Sequence, residues 1–148
     1  MNKIIVTGGN GFIGSNLIKF LLSKKFLVIN IDKNKYSNGS YLLKKIKSKN
    51  YKFFKLDINN PQIFNIFTKY KPDVIFNLAA ETHVDRSIEK PMDFIHSNIN
   101  GTFNILEKLR KFKKKFKRNI KLIHISTDEV YGDLNKGERS SEKDAYRP

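Results

Sequence analysis

Near its amino terminus the chain reads Lys3-Ile4-Ile5-Val6-Thr7-Gly8-Gly9-Asn10-Gly11-Phe12-Ile13-Gly14. The β-branched residues before the glycines are typical of a buried strand. Apolar residues from Phe12 to Leu22 then recur at helical intervals. Glycines between the two patterns permit a tight turn. The stretch therefore predicts a strand, a turn and a helix in direct succession.

The same alternation continues along the chain. Apolar runs at residues 27–31, 53–56, 74–78 and 122–125 are separated by stretches of helical period. Continuous apolar runs are typical of strands buried on both faces, and crossover helices between them imply a parallel sheet. The sequence predicts an α/β domain with a Rossmann-type, doubly wound parallel sheet of about five strands.

Two helices can be placed from local signals. Asn60-Pro61 is typical of an N-cap followed by a first-turn proline, and Lys71-Pro72 predicts the end of that helix. A longer helix is predicted from about Pro91 to beyond Leu109. In residues 108–118 lysines alternate with Phe112 and Phe116, which would suit phosphate binding and base stacking. Because these aromatics fall at helical intervals, we expect them to face the core and the lysines to face solvent.

Composition limits the classes of function. The chain has 148 residues, 39% hydrophobic and 29% charged, as expected for one globular domain. It has no cysteine, which favours a reducing compartment, so we expect a cytoplasmic protein. No apolar run approaches the length of a membrane span, and the strand pattern beginning at Lys3 leaves no room for a signal peptide.

The net charge of +15 suggests a nucleic-acid or anionic-membrane partner. However, no recognisable nucleic-acid module accompanies the charge. The excess is mostly lysine, accompanied by abundant isoleucine and asparagine, as A/T-rich codon usage would produce. We therefore expect neither nucleic acid nor membrane as a partner.

The glycine-rich turn lies where a dinucleotide fingerprint must lie, between the first strand and the first helix. Glycines allow the backbone to approach a pyrophosphate, and the helix N-terminus offers free N–H groups and a partial positive charge. Two registers fit: Gly9, Gly11 and Gly14, or Gly8, Gly11 and Gly14. Spacing alone does not distinguish them.

Acidic residues follow the next two predicted strands. Asp32 can accept hydrogen bonds from both ribose hydroxyls of an adenosine, which favours NAD over NADP. Lys33 and Lys35 complicate this preference, because cations there could tolerate a 2′-phosphate. Asp57-Ile58 is placed to contact an adenine, although an aspartate that caps a turn explains Asp57 nearly as well.

These spacings, together with Asn77-Leu78-Ala79-Ala80 and Ser126-Thr127, resemble the extended short-chain dehydrogenase/reductase superfamily across essentially the whole chain. Two stretches are similar to signatures of its dTDP-glucose 4,6-dehydratase family. They are Ala-Ala-Glu-Thr-His-Val-Asp-Arg-Ser-Ile at residues 79–88 and Ser-Thr-Asp-Glu-Val-Tyr-Gly at residues 126–132. Tyr36 and Asn38, after Asp32-Lys33, fit the same pattern.

The resemblance implies a hydro-lyase of nucleotide-sugar metabolism that converts dTDP-glucose to dTDP-4-keto-6-deoxyglucose, with NAD⁺ as internal hydride carrier. Glu129 would take the C5 proton, Asp128 would protonate the departing C6 hydroxyl, and Thr127 would hold the sugar near C4. Asp128 must then be protonated at neutral pH, which a neighbouring carboxylate and exclusion of water would favour. Without the surrounding match, Asp128-Glu129 is better explained as an exposed acidic turn after a strand.

The resemblance also assigns binding residues. Thr82 and Thr127 are the implied substrate contacts. No metal is implied, since His83, His96 and His124 lack the spacing of a helical zinc pair. The implied cofactor contacts are Gly8, Gly11, Phe12, Ile13, Gly14, Asp32, Lys33, Asn34, Lys35, Asp57, Ile58, Leu78, Ala79, Ala80, Glu81, Thr82 and Ser97.

The superfamily also requires a Tyr-x-x-x-Lys pair on the helix after the last predicted strand. The pairs Tyr41/Lys45 and Tyr51/Lys55 fit the pattern but belong to the adenosine side of the fold. We expect the chain to be truncated before the catalytic tyrosine and a carboxy-terminal substrate domain, and to be inactive alone. The full-length protein is expected to be a homodimer. Alternatives are another NAD-dependent sugar-nucleotide dehydratase or epimerase, and a non-catalytic NAD-binding fragment.

Overall fold

The central strand of the sheet is the first one in the sequence. The structure, a computed structural model, describes residues 2–35 and 40–148, without the side chain of Ser40. Its five parallel strands lie in the order β3-β2-β1-β4-β5, which confirms the predicted doubly wound sheet. The strands are β1 Lys3–Thr7, β2 Leu27–Asp32, β3 Tyr51–Lys55, β4 Val74–Asn77 and β5 Lys121–His124.

Helices connect the strands and cover both faces of the sheet. Between β4 and β5 three segments follow one another directly over residues 91–116, and the middle one is a π-helix. The segments are α1 Phe12–Ser23, α2 Ser40–Lys44, α3 Ile63–Tyr70, α4 Val84–Glu89, α5 Pro91–Phe94, the π-helix Ile95–Asn100, α6 Gly101–Phe116 and a 3₁₀ helix Asp128–Tyr131.

Alternating side chains of the central strands build two hydrophobic cores. Ile4 and Val6 pack on the face that also contains Ile18 of α1. Ile5 packs on the opposite face, with Phe67 of α3 and Phe112 of α6, and all three are fully buried. Because successive side chains of a strand point to opposite faces, a continuous apolar run supplies both cores.

The third helix begins later than the sequence predicted. A turn occupies residues 61–62, and the first helical residue is Ile63. Asn60 caps that turn, since its Oδ1 accepts a hydrogen bond from the backbone N–H of Gln62 at 2.8 Å. The helix ends as predicted: Lys71 is left-handed, with a φ of 47°, and Pro72 follows. β3 also begins two residues before the apolar run that predicted it.

The predicted core face of the long helix is confirmed, with one exception among its lysines. Phe112 is fully buried and Phe116 is half-buried beside it, with ring centroids 4.6 Å apart. Lys108, expected in solvent, is only 7% exposed, and its Nζ donates to Asn104 Oδ1. Burial lowers the pKa of the Lys108 amine. The side-chain amide of Asn104 lets this lysine lie on the inner face.

The prediction that the last strand is buried on both faces is wrong. β5 forms an edge of the sheet, where Leu122 and Ile123 are half-buried and Lys121 and His124 are exposed. β5 pairs with β4 on one side only. Burial of both of its faces would require a second neighbouring strand or further covering elements. Within residues 2–35 and 40–148, no helix combines the length and hydrophobicity needed to cross a bilayer.

We predict that Phe112→Ala lowers the free energy of unfolding by about 3–5 kcal/mol, because it leaves a cavity between α6 and the sheet. Phe20→Ala, at a side chain that is 57% exposed on α1, should cost about 0.5 kcal/mol or less. Urea denaturation followed by circular dichroism measures both. Equal losses in the two variants would show that Phe112 does not pack in the core.

Candidate functional site

A cavity of about 340 Å³ opens at the carboxyl edge of the sheet, beyond the ends of β1 to β4. The strand order reverses beside β1, and ligands of doubly wound sheets bind at this point. The cavity is lined by Gly8, Gly11, Phe12, Ile31, Asp32, Lys33, Lys35, Leu56, Asp57, Ile58, Leu78, Ala79, Ala80, Glu81, Thr82, His83 and Ser97.

The glycine turn brings α1 and β4 close to β1. Gly8 has a φ of +68°, and a Cβ there would lie 2.7 Å from backbone atoms of Leu78 and Ala79. A Cβ on Gly14 would lie 2.4 Å from the carbonyl oxygen of Gly8. Gly8 and Gly11 line the cavity, and Gly14 supports the turn from behind. In the structure, therefore, Gly8 and Gly11 belong to the turn at the cavity, and Gly14 lies in the first turn of α1, packed against Gly8.

The N-terminus of α1 is open to a ligand. Its N-cap residue, Gly11, makes no side-chain capping bond, and the first turn contains no acidic residue. Phe12, in this first turn, lines the cavity and is exposed. Uncapped N–H groups and the helix dipole attract an anion such as a pyrophosphate.

The carboxylate of Asp32 is held at the end of β2. Its Oδ2 accepts a hydrogen bond from the backbone N–H of Asn10 at 2.9 Å, and its Oδ1 accepts one from the N–H of Asn34 at 2.6 Å. Asn30, buried within β2, donates from Nδ2 to Asn10 Oδ1 at 2.9 Å. The glycine turn and Asp32 are thus joined by one polar network, which sequence reasoning did not identify.

Two lysines that follow Asp32 are paired with carboxylates from distant parts of the chain. Lys33 Nζ lies 2.8 Å from Glu81 Oε1. Lys35 Nζ lies 2.6 Å from Asp93 Oδ2 and 3.8 Å from Glu81 Oε1. We name Lys33, Lys35, Glu81 and Asp93 the lysine cluster.

Asp57 follows β3 and has two roles in the structure. Its Oδ1 accepts a hydrogen bond from the N–H of Asn59 at 2.8 Å, so it caps a turn. It also lines the cavity beside Ile58 and the buried Ser97 of the π-helix. Both interpretations of Asp57 are therefore compatible with its position. Gly101 allows the long helix to approach, since a Cβ there would lie 2.3 Å from Ile58 Cδ1.

The structure does not place every predicted cofactor contact on the cavity wall. Ile13, Gly14 and Asn34 are outside its lining. Asn34 instead accepts a hydrogen bond from Asn10 Nδ2 at 2.8 Å. Ile31, Leu56 and His83 line the cavity but were not predicted, although the first two lie at strand ends where such residues can be sought. Tyr36 and Asn38 lie outside the described residues.

The predicted catalytic residues lie at the end of β5, on the same edge of the sheet but outside the cavity lining. Thr127 is the N-cap of the 3₁₀ helix, and its Oγ1 accepts a hydrogen bond from the Glu129 N–H at 3.3 Å. Thr127, Asp128 and Glu129 are all exposed. The described residues therefore do not provide the exclusion of water that the predicted acid–base chemistry needs. Thr82 lies in the cavity, whereas Thr127 does not.

A chain of polar contacts positions the end of β5. Thr7 Oγ1 donates to Asn77 Oδ1 at 2.5 Å, and Asn77 Nδ2 lies 3.0 Å from His124 Nδ1. The other histidines are elsewhere: His83 lines the cavity, and His96 Nε2 lies 3.8 Å from Asp57 Oδ2. Among the described residues, no group of three or more His, Cys, Asp or Glu side chains is arranged to bind a metal ion.

Known proteins are similar to this chain in sequence and in fold. A family model described as GDP-mannose 4,6 dehydratase matches residues 5–148. The dTDP-glucose 4,6-dehydratase of Haemophilus influenzae is 43% identical over 100% of this chain and 46% of its own length. That of Escherichia coli is 47% identical over 89% of this chain and 38% of its own length. A crystal structure of dTDP-glucose 4,6-dehydratase from Bacillus anthracis in complex with NAD has 35% identity and a TM-score of 0.84, covering 100% of this chain and 44% of that one. The chain thus spans less than half the length of these relatives.

We predict that Gly14→Ala lowers the free energy of unfolding by about 1–3 kcal/mol, because the new methyl group overlaps the Gly8 carbonyl. Gly11→Ala is the matched control, since its Cβ would lie 3.3 Å from the same oxygen. It should cost less than about 1 kcal/mol. Urea denaturation measures both values, and a cost at Gly11 equal to or above that at Gly14 would contradict the close packing.

Proposed function

The chain belongs to the GDP-mannose 4,6 dehydratase family, and we propose that it is the NAD-binding, amino-terminal part of a dTDP-glucose 4,6-dehydratase. One observation carries the cofactor assignment. The Gly8–Gly11 turn, the uncapped N-terminus of α1, Asp32 and Asp57-Ile58 surround a single cavity. The substrate assignment is supported by the dehydratase relatives and by the adjacent Asp128 and Glu129.

The cavity residues fit the parts of NAD in order along the sheet edge. The first-turn N–H groups of α1 would bind the pyrophosphate, and the glycine turn allows it to approach the backbone. Asp32 would accept hydrogen bonds from the adenosine ribose, and Ile58 would pack against the adenine. Residues 78–80 at the end of β4 would lie along the nicotinamide half, whereas Glu81, paired with Lys33, would lie beside the adenosine ribose. When bound, NAD⁺ supplies the hydride acceptor and donor of the reaction.

The dehydration needs an acid and a base on one substrate. Glu129 would remove the C5 proton of the sugar, which is acidified by a ketone at C4. Asp128 would donate a proton to the C6 hydroxyl as it leaves as water. Thr127 would hold the sugar near C4, and Thr82 would contact it from the cavity. Both carboxylates are exposed in the 148-residue chain. We therefore propose that a further part of the protein covers them, excludes water and favours the protonation state that each role needs.

The superfamily oxidises C4 with the tyrosine of a Tyr-x-x-x-Lys pair as base, and no tyrosine lines the cavity within the described residues. We propose that a Tyr-x-x-x-Lys helix and a substrate domain follow residue 148 in the complete protein. The coverage of 38–46% of the relatives supports this proposal. It also implies that the 148-residue chain alone binds NAD only weakly and does not dehydrate the sugar.

Other substrates are possible within the same family. The matching family model is described as GDP-mannose 4,6 dehydratase, so a guanosine-diphosphate sugar is the first alternative substrate. An epimerase is the second, and it is less favoured because epimerases of this superfamily usually lack an Asp-Glu pair after the threonine. A non-catalytic NAD-binding fragment is the third. It would have no use for Asp128 and Glu129.

We further propose a cytoplasmic homodimer. An apolar stripe follows the outer side of residues 91–116, where the side chains of Ile95, Ile99, Phe103 and Leu106 are 40%, 63%, 64% and 49% exposed. Their spacing of three or four residues places them on one side of the helix. A second copy of the same helix offers a surface of matching chemistry.

A chimera tests the enzymatic proposal directly. Residues 1–148 are joined to the carboxy-terminal part of the H. influenzae relative and incubated with dTDP-glucose. We expect keto-sugar to form with the chimera and not with the 148-residue chain. Asp128→Asn and Glu129→Gln in the chimera should each lower kcat at least about a hundredfold, the usual contribution of general acid–base catalysis.

The matched control is Asp133→Asn, which removes an exposed carboxylate just after the 3₁₀ helix and should leave the rate unchanged. Keto-sugar formation by the chain alone would contradict its proposed inactivity. Conversion by the chimera of only a UDP- or GDP-sugar would contradict the proposed substrate.

The dimer proposal predicts that Phe103→Glu converts the chain to a monomer, because a charge would be buried between two helices. Leu134→Glu is the control, since Leu134 is similarly exposed, at 49%, but lies outside the helix. Sedimentation equilibrium measures the mass of each. A monomeric wild-type chain, or a dimer that persists in Phe103→Glu, would refute this interface.

A further inference from the structure

The lysine cluster bears on which dinucleotide the cavity accepts. A 2′-phosphate on the adenosine ribose distinguishes NADP from NAD, and cationic side chains near the end of the second strand accommodate it. Lys33 and Lys35 are one and three residues beyond Asp32 and line the same cavity. From the sequence alone, they could bind that phosphate. Their availability therefore decides whether Asp32 is the sole determinant of selectivity.

In the structure both ammonium groups are directed at carboxylates. The Lys33 Nζ donates to Glu81 Oε1 at 2.8 Å, and the Lys35 Nζ donates to Asp93 Oδ2 at 2.6 Å. Glu81 also lies within 3.8 Å of the Lys35 Nζ, so it is shared by both lysines. A charge-assisted hydrogen bond must be broken before either lysine can bind a phosphate.

Glu81 is held rigidly in this position. Its side chain is only 4% exposed. Its backbone is clamped by Asn98, whose Oδ1 accepts from the Glu81 N–H and whose Nδ2 donates to the Glu81 carbonyl, both at 2.9 Å. The backbone at Glu81 is thus fixed in the loop after β4, and the buried carboxylate is directed at Lys33.

Asp93 is more exposed, with 45% of its side chain accessible, but its charge is secured. The hydrogen bond from Lys35 holds the pKa of the Asp93 carboxyl below its usual range, with a smaller contribution from the charge of Lys35. It therefore stays ionised at neutral pH. Glu81 and Asp93 also line a smaller cavity together with Arg86, Glu89 and Lys90, and the charge of Lys90 contributes slightly to the lowered pKa of Asp93.

We propose that Glu81 and Asp93 are specificity-determining residues that make the site select NAD over NADP by engaging Lys33 and Lys35. The inference rests on the proposed binding of NAD. Asp32 repels a 2′-phosphate directly, whereas Glu81 and Asp93 remove the two cations that would offset this repulsion. Desolvation largely cancels the attraction within a buried ion pair. The main effect of the lysine cluster is therefore to hold the ammonium groups of Lys33 and Lys35 at carboxylates, and its effect on the stability of the fold is small.

The test compares the wild-type chain with Glu81→Gln/Asp93→Asn. Ligand-observed NMR titrations at millimolar concentrations give the affinities for NAD⁺, NADP⁺, ADP and adenosine 2′,5′-bisphosphate. ADP and adenosine 2′,5′-bisphosphate probe only the binding site for the adenosine half of the dinucleotide, which is formed by residues of this chain. We expect the affinity ratio of NADP⁺ to NAD⁺ to rise about tenfold in the double variant, as one new charge-assisted hydrogen bond would produce. The ratio of the bisphosphate to ADP should rise with it.

Two further variants separate selectivity from general charge and from folding. Glu142→Gln removes an exposed carboxylate that does not line the cavity, so its ratios should equal those of the wild type. Adding Lys33→Met and Lys35→Met to the double variant should abolish the gain, because no lysine remains to bind the phosphate. Asp93→Asn alone leaves the buried pair intact and should raise the ratio by a smaller factor.

The outcomes distinguish this inference from the function on which it rests. If the wild type binds NAD⁺ and neither Glu81→Gln/Asp93→Asn nor Asp93→Asn changes the ratio, the inference is wrong and the proposed cofactor stands. A gain that survives Lys33→Met and Lys35→Met also overturns it. If the wild type binds none of the four nucleotides, both proposals fail. Thermal unfolding checks each variant, and a double variant that does not fold leaves the decision to Asp93→Asn.

Discussion

The close approach of Gly8 to the end of β4 is the constraint on which the rest of the site depends. The Gly8 N–H donates to the Ile31 carbonyl at 3.0 Å, and the Leu78 N–H donates to the Thr7 carbonyl at 3.2 Å. The end of β1 is therefore bonded to β2 on one side and to β4 on the other. A side chain at Gly8 would overlap the Leu78–Ala79 backbone at 2.7 Å, separate these strands and displace the cavity between them.

Next to this contact, the protein buries the polar side chains of Asn10 and Asn30, although apolar side chains could be buried without needing hydrogen-bond partners. Asn30 is fully buried in β2, and its Nδ2 donates to Asn10 Oδ1 and to the Tyr51 hydroxyl, each at 2.9 Å. Its Oδ1 has no hydrogen-bond partner among the described residues and lies where a Cβ on Gly9 would be. An unpaired buried oxygen is destabilising. The network is thus better explained by the position it gives the turn and Asp32 than by stability.

The elements that the sequence predicted well are those fixed by local periodicity. Ile4 to Val6 and the helix containing Phe112 carry their patterns within a few residues, so strand, helix and core face could be predicted. The exposure of β5 depends on which strands lie beside it, and the burial of Lys108 depends on one amide four residues away. Neither has a periodic signal. The pairing of Lys33 with Glu81 spans 48 residues, and only the folded sheet brings the two together.

The cavity at the ends of β1 to β4 and the carboxylates after β5 differ in how far the described residues complete them. Asp32 ends β2, Glu81 lies in the loop after β4 and Ser97 belongs to the π-helix, yet all three line one cavity. The proposed recognition of the adenosine end would therefore depend on these residues together. Asp128 and Glu129 sit on a 3₁₀ helix that is exposed on the sheet edge. Acid–base catalysis on a sugar requires carboxylates that are protected from water. The proposed cofactor selectivity thus depends on contacts within this part of the fold, whereas the proposed acid–base chemistry would require a cover over the end of β5.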